Sequence, residues 1–230
     1  GIREYDAKRL MEKYVDGMKN RVALVGPDTK LSTLPKEHTW LKNEKLVVKP
    51  DQLFGKRGKN NLLLLNKSWD EAVEFLNANM GKEVTVGKST GKLTHFLIEP
   101  FVPHKTEYYI AIRAERDGDT IYFSKEGGVD IEENWDKVTS LTIPLIESID
   151  KMDLVKKLDL KGKTSGLIAD FVKKLFNFYA DLQFTYLELN PFVISNDKVV
   201  PLDTVAKVDD TAAYECAGKW GDLTFPFPLV

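Results

Sequence analysis

The sequence predicts a mixed α/β protein built from short strands, hairpins and helices, on three observations. Stretches of two-residue alternation such as 184–190 sit among stretches with apolar residues at helical spacing, such as 167–182. Turn signals separate strand-like runs, notably Asp117-Gly118-Asp119 and Ser195-Asn196-Asp197-Lys198. A chain of 230 residues that is 43% hydrophobic can bury a substantial core, as one large domain or two small lobes.

Taken in order, residues 4–18 read as a helix, with Tyr5, Leu10, Met11, Tyr14 and Met18 near helical spacing. Residues 21–25 form a short strand that stops at Gly26-Pro27, and the polar stretch up to Glu44 reads mostly as loop and turn. Residues 46–49 and 62–65 flank a glycine-bearing loop as a hairpin. Ser68 is an N-cap residue for a helix through Trp69, Val73, Phe75 and Leu76 to Met80, with Gly81 as its stop. A strand over 93–99 ends at Pro100, and 107–112 with 120–124 make a second hairpin. Residues 141–146 read as a strand and 150–158 as a short helix. The helix over 167–182 carries Leu167, Ile168, Phe171, Val172, Leu175, Phe176, Tyr179 and Leu182 on one broad apolar face, which makes it a core element. No internal repeat or low-complexity tract interrupts this order.

Charge narrows the function classes. With 33 basic against 35 acidic residues the net charge is -2, which argues against a general nucleic-acid or membrane role. No run approaches the roughly 20 apolar residues of a transmembrane helix, and no charged segment leading into an apolar one marks a secretory start. The single cysteine, Cys216, excludes an internal disulfide and fits a reducing compartment, so a cytoplasmic location is expected. The start at Gly1 and the end over 225–230, with neither a helix nor a charged tail, read as the limits of a piece of a longer polypeptide.

Two stretches carry chemistry. Leu46-Val47-Val48-Lys49-Pro50 runs into Gly55-Lys56-Arg57-Gly58-Lys59, where a glycine-bearing turn lets the backbone approach an anion and Lys49, Arg57 and Lys59 add positive charge. Leu187-Glu188-Leu189-Asn190-Pro191 is followed by Asp203, and alternation puts Tyr186, Glu188 and Asn190 on one face of a strand. If Asn196 and Asp197 are a two-residue hairpin loop, the returning strand 199–203 sets Asp203 directly opposite Asn190. Side chains so paired start about 5 Å apart and can share one ion. A one-residue slip would turn Asp203 to the other face, and Pro201 marks an edge or bulge nearby. Phosphate-directed cations together with hard oxygen ligands of the kind Mg2+ prefers point to ATP.

Each stretch also has a plainer reading. The six cations from Lys42 to Lys59, set against Glu44 and Asp51, also suit a solvated loop or a patch for polyanions. Glu188, Asn190 and Asp203 also suit polar groups that satisfy turns at strand ends. It is the co-occurrence of the two stretches that favours a nucleotide. Residues 81–89 imitate a Walker loop, but five residues separate the glycines and a strand follows the Lys-Ser pair, so the segment reads as a turn. His38, His95 and His104 do not cluster with Cys216 at metal-ligand spacing, and His104 is assigned no chemistry. Asn66-Lys67-Ser68 is a glycosylation triplet without a secretory context.

Beyond these motifs, the chain resembles the ATP-grasp portion of ATP-citrate lyase, itself similar to the beta subunit of succinyl-CoA synthetase. The resemblance runs through Leu46-Val47-Val48-Lys49-Pro50-Asp51-Gln52-Leu53, Arg57-Gly58-Lys59 and Leu97-Ile98-Glu99-Pro100-Phe101-Val102-Pro103-His104. It continues in Glu126-Gly127-Gly128-Val129-Asp130, Leu175-Phe176-Asn177-Phe178-Tyr179, residues 184–191 and Lys219-Trp220-Gly221. Residues 132–138 resemble forms in which the enzyme is split between two polypeptides.

The resemblance implies one ATP-grasp domain over 1–230, made of two α+β lobes with the nucleotide between them. One lobe, 20–99, would be inserted into the other, formed by 1–19 and 100–230. It further implies that Lys49 contacts ATP phosphates and that Arg57 and Gly58 belong to a loop closing over them. An adenine hinge would run from Glu99 to Val102, with backbone groups of Pro100 and Val102 facing the base, and Glu107 would hold the ribose hydroxyls. Asn190 and Asp203 would ligate Mg2+, and Glu188 would sit with a phosphorylated histidine as the catalytic group. Relatives often carry another glycine where this chain has Asn60-Asn61.

ATP or ADP with Mg2+ are the implied cofactors. Citrate and CoA are implied for the full enzyme, whose remaining domains or second subunit would carry the histidine and the CoA site in a hetero-oligomer. A citryl-CoA or succinyl-CoA synthetase subunit, or a non-catalytic nucleotide-binding regulatory module, stand as alternatives.

Overall fold

Helix α1 (Glu4–Tyr14) starts where the Asp51 carboxylate accepts the backbone N–H groups of Glu4 at 2.8 Å and Tyr5 at 2.9 Å. The first N–H groups of a helix have no partner inside it, so an acid distant in sequence does the work of an N-cap. The computed structural model describes residues 1–53, 61–128 and 130–226. Two compact units emerge: Gly1–Ile2, Asp6–Asn20 and His104–Leu223 in one, Arg3–Tyr5, Arg21–Pro103 and Thr224–Val230 in the other.

The smaller unit is organised around an antiparallel sheet of order β1 (Ala23–Val25), β6 (Phe96–Pro100), β2 (Leu46–Pro50) and β3 (Leu64–Lys67). Val25, Leu46, Val48, Phe96 and Ile98 are buried there with Ala72 and Leu76 of α4 (Trp69–Asn79). Ser68 caps α4 in a full capping box with Glu71, as an N-cap serine followed three residues later by glutamate favours. The expected stop at Gly81 holds, with φ +79. Two single-turn helices, α2 (Leu34–Glu37) and α3 (Trp40–Asn43), occupy the stretch expected to be loop, because four residues are too few for helical periodicity to show. The Walker-like segment is a hairpin of β4 (Glu83–Val86) and β5 (Ser89–Lys92) turning at Gly87, so the helix a P-loop requires is not there.

The larger unit has a six-stranded antiparallel sheet. β9 (Thr139–Pro144), β8 (Gly118–Ser124) and β7 (Tyr108–Glu115) lead to the long β10 (Phe184–Ser195), whose far side pairs with both β11 (Lys198–Pro201) and β12 (Thr204–Val208). The expected long helix is α6 (Ser165–Asp181); its Ile168, Phe171, Val172 and Leu175 share a buried core with Ile110, Ile112, Ile121, Phe123, Leu187 and Leu189. Expected helix 150–158 is instead a short 3-10 turn (Ile149–Lys151) followed by α5 (Leu154–Lys157). The Asp153 side chain accepts the Lys156 N–H and restarts the helix there. Helix α7 (Ala213–Trp220) closes the unit, its Trp220 indole donating to the Leu182 carbonyl at 2.8 Å. Among the described residues no helix is long and apolar enough to cross a membrane.

Candidate functional site

The β10–β11 hairpin turns on Asn196 and Asp197, both at positive φ (51° and 59°), the conformation a two-residue turn of matching twist requires. Ser195 pairs Lys198 and Phe192 pairs Pro201, and the same register resumes in β12, where Leu189 pairs Thr204 and Glu188 pairs Val205. Between these stretches the Asn190 N–H donates to the Asp203 carbonyl at 2.9 Å. Asn190 and Asp203 are therefore directly opposite, as the hairpin arithmetic expects, and the one-residue slip does not occur. The ladder is irregular just here: the Asn190-Pro191 peptide is cis, and the Leu202 and Asp203 N–H groups both reach the Pro191 carbonyl, at 2.9 and 3.4 Å. Lys8, fully buried, donates to the Leu202 carbonyl at 3.4 Å beneath this turn.

Asn190 is half-buried, and its Oδ1 accepts the Gly128 N–H at 2.7 Å. An amide oxygen has two lone pairs, and this bond occupies one. With Asp203 it forms a hard, oxygen-only pair, and among the described residues no group of three or more His, Cys, Asp and Glu is placed to hold a metal. Such a pair suits Mg2+, which binds through one or two protein ligands plus phosphates and water, rather than a metal caged by protein alone.

Glu188 lies on the same face, two residues before Asn190. Tyr186 donates to its Oε2 at 2.8 Å and Tyr109, from β7, reaches the same oxygen at 3.5 Å. Burial pushes the Glu188 carboxyl above the ordinary glutamate range, with the nearby Asp203 charge adding to it, while the two phenol hydrogen bonds pull it back. The same burial, reinforced by the Glu188 charge, raises both phenols. A protonatable carboxyl held by two hydroxyls, beside an oxygen pair fit for a cation, can accept or deliver a proton.

Glu107, expected at the ribose, stands next to this arrangement. Its Oε1 is 2.8 Å from His104 Nε2, and its carbonyl accepts the Gly127 N–H at 2.8 Å. The structure thus gives His104, assigned no chemistry from sequence, an acidic partner.

In the smaller unit, Lys49 is 3% exposed, and its Nζ is 2.7 Å from Glu4 Oε2 and 3.0 Å from Glu99 Oε1. Glu99, expected in the hinge, turns its carboxylate to Lys49. Beyond Pro100, at the end of β6, the Phe101 N–H donates to the Lys45 carbonyl at 2.8 Å, so the hinge backbone continues the β2–β6 pairing before Val102. Arg57 and Gly58 lie outside the described residues. Sequence reading missed Glu4, Tyr109, Tyr186 and the backbone role of Gly128. The alternation already placed Tyr186 beside Glu188, but nothing local connects Glu4 with Lys49.

Two α/β units, each organised around an antiparallel sheet, are the architecture of the class to which the family model and the matched structure assign the chain: an ATP-grasp domain. The match to known families narrows this, for the model of the ATP-citrate synthase ATP-grasp domain covers residues 1–220, and the chain belongs to that family. It is 44% identical over 99% of its length to ATP-citrate synthase alpha chain protein 2 of Arabidopsis thaliana, and equally to ATP-citrate synthase of Homo sapiens. It spans 55% of the plant protein and 22% of the human one. Its structure matches ATP citrate lyase from Methanothrix soehngenii, solved with citrate and coenzyme A, at a TM-score of 0.91 and 47% identity over all of this chain and 56% of that one.

Proposed function

We propose that this chain is the nucleotide-binding part of an ATP-citrate lyase, in which ATP drives the CoA-dependent conversion of citrate to acetyl-CoA and oxaloacetate. The observation that carries the reading is the register that sets Asn190 opposite Asp203 with Glu188 on the same face. The whole of 1–230 acts as one ATP-grasp domain, with 20–99 as its inserted lobe.

In this reading Asn190 and Asp203 hold Mg2+, which when bound neutralises charge on the nucleotide phosphates. Lys49 meets the phosphates by exchanging a glutamate partner for a phosphate oxygen, and Arg57 and Gly58 close over them. The hinge starts at Glu99, backbone groups of Pro100 and Val102 receive the adenine, and Glu107 receives the ribose hydroxyls. Phosphoryl transfer asks mainly for positioning and charge neutralisation, which a lysine, an arginine and a metal pair supply.

The γ-phosphoryl passes to a histidine nitrogen supplied by the rest of the enzyme, with ADP leaving and Glu188 fixing the imidazole and its proton. The phosphoryl then moves to a citrate carboxylate as citryl phosphate, CoA sulfur displaces phosphate to give citryl-CoA, and cleavage yields acetyl-CoA and oxaloacetate. The histidine, the CoA site and the cleavage step belong to further domains or a second subunit, in a cytoplasmic hetero-oligomer. The relatives' names and the fraction of their length this chain covers support that division.

Calorimetry on the chain tests the first half: ATP and ADP bind with Mg2+, and citrate and CoA do not. Supplying the remaining polypeptide should then produce an acid-labile phosphate from γ-labelled ATP. A chain that binds no nucleotide contradicts the proposal.

A further inference from the structure

The turn carrying Gly127 and Gly128 has no room for side chains. A Cβ on Gly127 would stand 2.5 Å from the Tyr108 carbonyl oxygen. On Gly128, which holds φ +106, it would stand 2.5 Å from Glu107 Oε2. The other carboxylate oxygen of Glu107, Oε1, is 2.8 Å from His104 Nε2. Gly128 meanwhile donates its N–H to Asn190 Oδ1 at 2.7 Å. One glycine therefore walls the Glu107 carboxylate on one side and fixes the Asn190 amide on another.

Glu107 needs such a hold. Its side chain is 37% exposed and has three rotatable bonds, so without contacts it would lose much of its aim to rotamer entropy. A donor at Oε1 and a close wall at Oε2 restrict it to one orientation, and each oxygen keeps lone-pair capacity for a hydroxyl. We propose that His104 and Gly128 are positioning residues for Glu107, and that together they set how strongly this chain selects nucleotides with an intact vicinal ribose diol. The inference rests on the reading of Glu107 as the ribose ligand.

The test is the ratio of affinities for ATP and 2′,3′-dideoxy-ATP, measured by calorimetry with Mg2+ on the wild-type chain and four variants. A carboxylate holding hydroxyls should give wild type a preference for ATP of about tenfold or more. His104→Phe keeps a ring but loses the donor, and should lose most of that preference. His104→Gln keeps a donor and should retain most of it. Gly128→Ala pushes the flexible end of Glu107 aside and should lose it too, although the positive φ also strains that variant. Glu107→Gln is the control.

If His104→Phe and Gly128→Ala weaken both ligands equally, leaving the ratio unchanged while Glu107→Gln abolishes it, the two residues are structural only and the inference is overturned. If wild type and Glu107→Gln share the same ratio, Glu107 is not the ribose ligand and the underlying reading fails instead.

Discussion

Lys49 and Asp203 are both charged residues on or beside a strand, the first expected from sequence to contact phosphates and the second to ligate Mg2+, yet the molecule treats them in opposite ways. Lys49 is buried with two carboxylates against its ammonium group. Asp203 is half-buried in an irregular turn whose backbone is held by Asn190 and Pro191. A buried ion pair is part of the fold, because removing one member leaves uncompensated charge in a low dielectric. A half-buried carboxylate at a turn costs less to exchange than a charge buried in the core. Loss of nucleotide binding in a Lys49 variant therefore mixes chemistry with folding, and in an Asp203 variant the folding share is expected to be smaller and is read separately, from the melting temperature.

Lys49→Ala should cause the largest effect, a loss of about 3–5 kcal/mol in urea unfolding, because two buried carboxylates, Glu4 and Glu99, would lose the ammonium group that lies within 3.0 Å of each. Adding Glu4→Gln to that variant should recover part of the loss, and strict additivity of the two changes would break the comparison. Asp51→Ala should follow, costing about 1–2 kcal/mol as the N–H groups of Glu4 and Tyr5 lose their cap.

A smaller effect, distinguished by its sign, is expected at Glu188. Its folded-state pKa is raised, so the folded state binds the proton more tightly than the unfolded chain, and stability falls as pH rises from the unfolded value through the folded one. Glu188→Gln removes that penalty. Its melting temperature should exceed wild type at neutral pH, and the gap should close toward acid pH, where Glu188 is protonated. A gap that widens on acidification would mean that the ionised form is the favoured one. Asn190→Ala should be the mildest, within about 1 kcal/mol in urea unfolding.

The same contrast explains what was legible in the sequence. The Asn190–Asp203 juxtaposition follows from local facts: an Asn-Asp turn, an alternating strand, and one register carried from Ser195 to Tyr186. The capping box at Ser68 and the apolar face of α6 are local in the same way. The partners of Lys49 are not, since Glu4 lies 45 residues away on a helix whose first acid signals only a favourable N-terminus. Tyr109 likewise reaches Glu188 only because β7 and β10 are neighbours. Those pairings require the sheet order, and periodicity within one segment carries no information about it.

The central claim is that Asp203 and Asn190 bind the metal that accompanies the nucleotide. The most direct measurement is ATP affinity by calorimetry, with Mg2+ and with chelator, for wild type and Asp203→Asn. Wild type should bind more tightly with Mg2+, while Asp203→Asn should match wild type in chelator and lose most of the gain from the metal. An Asp203→Asn chain that keeps the full Mg2+ enhancement would contradict the account.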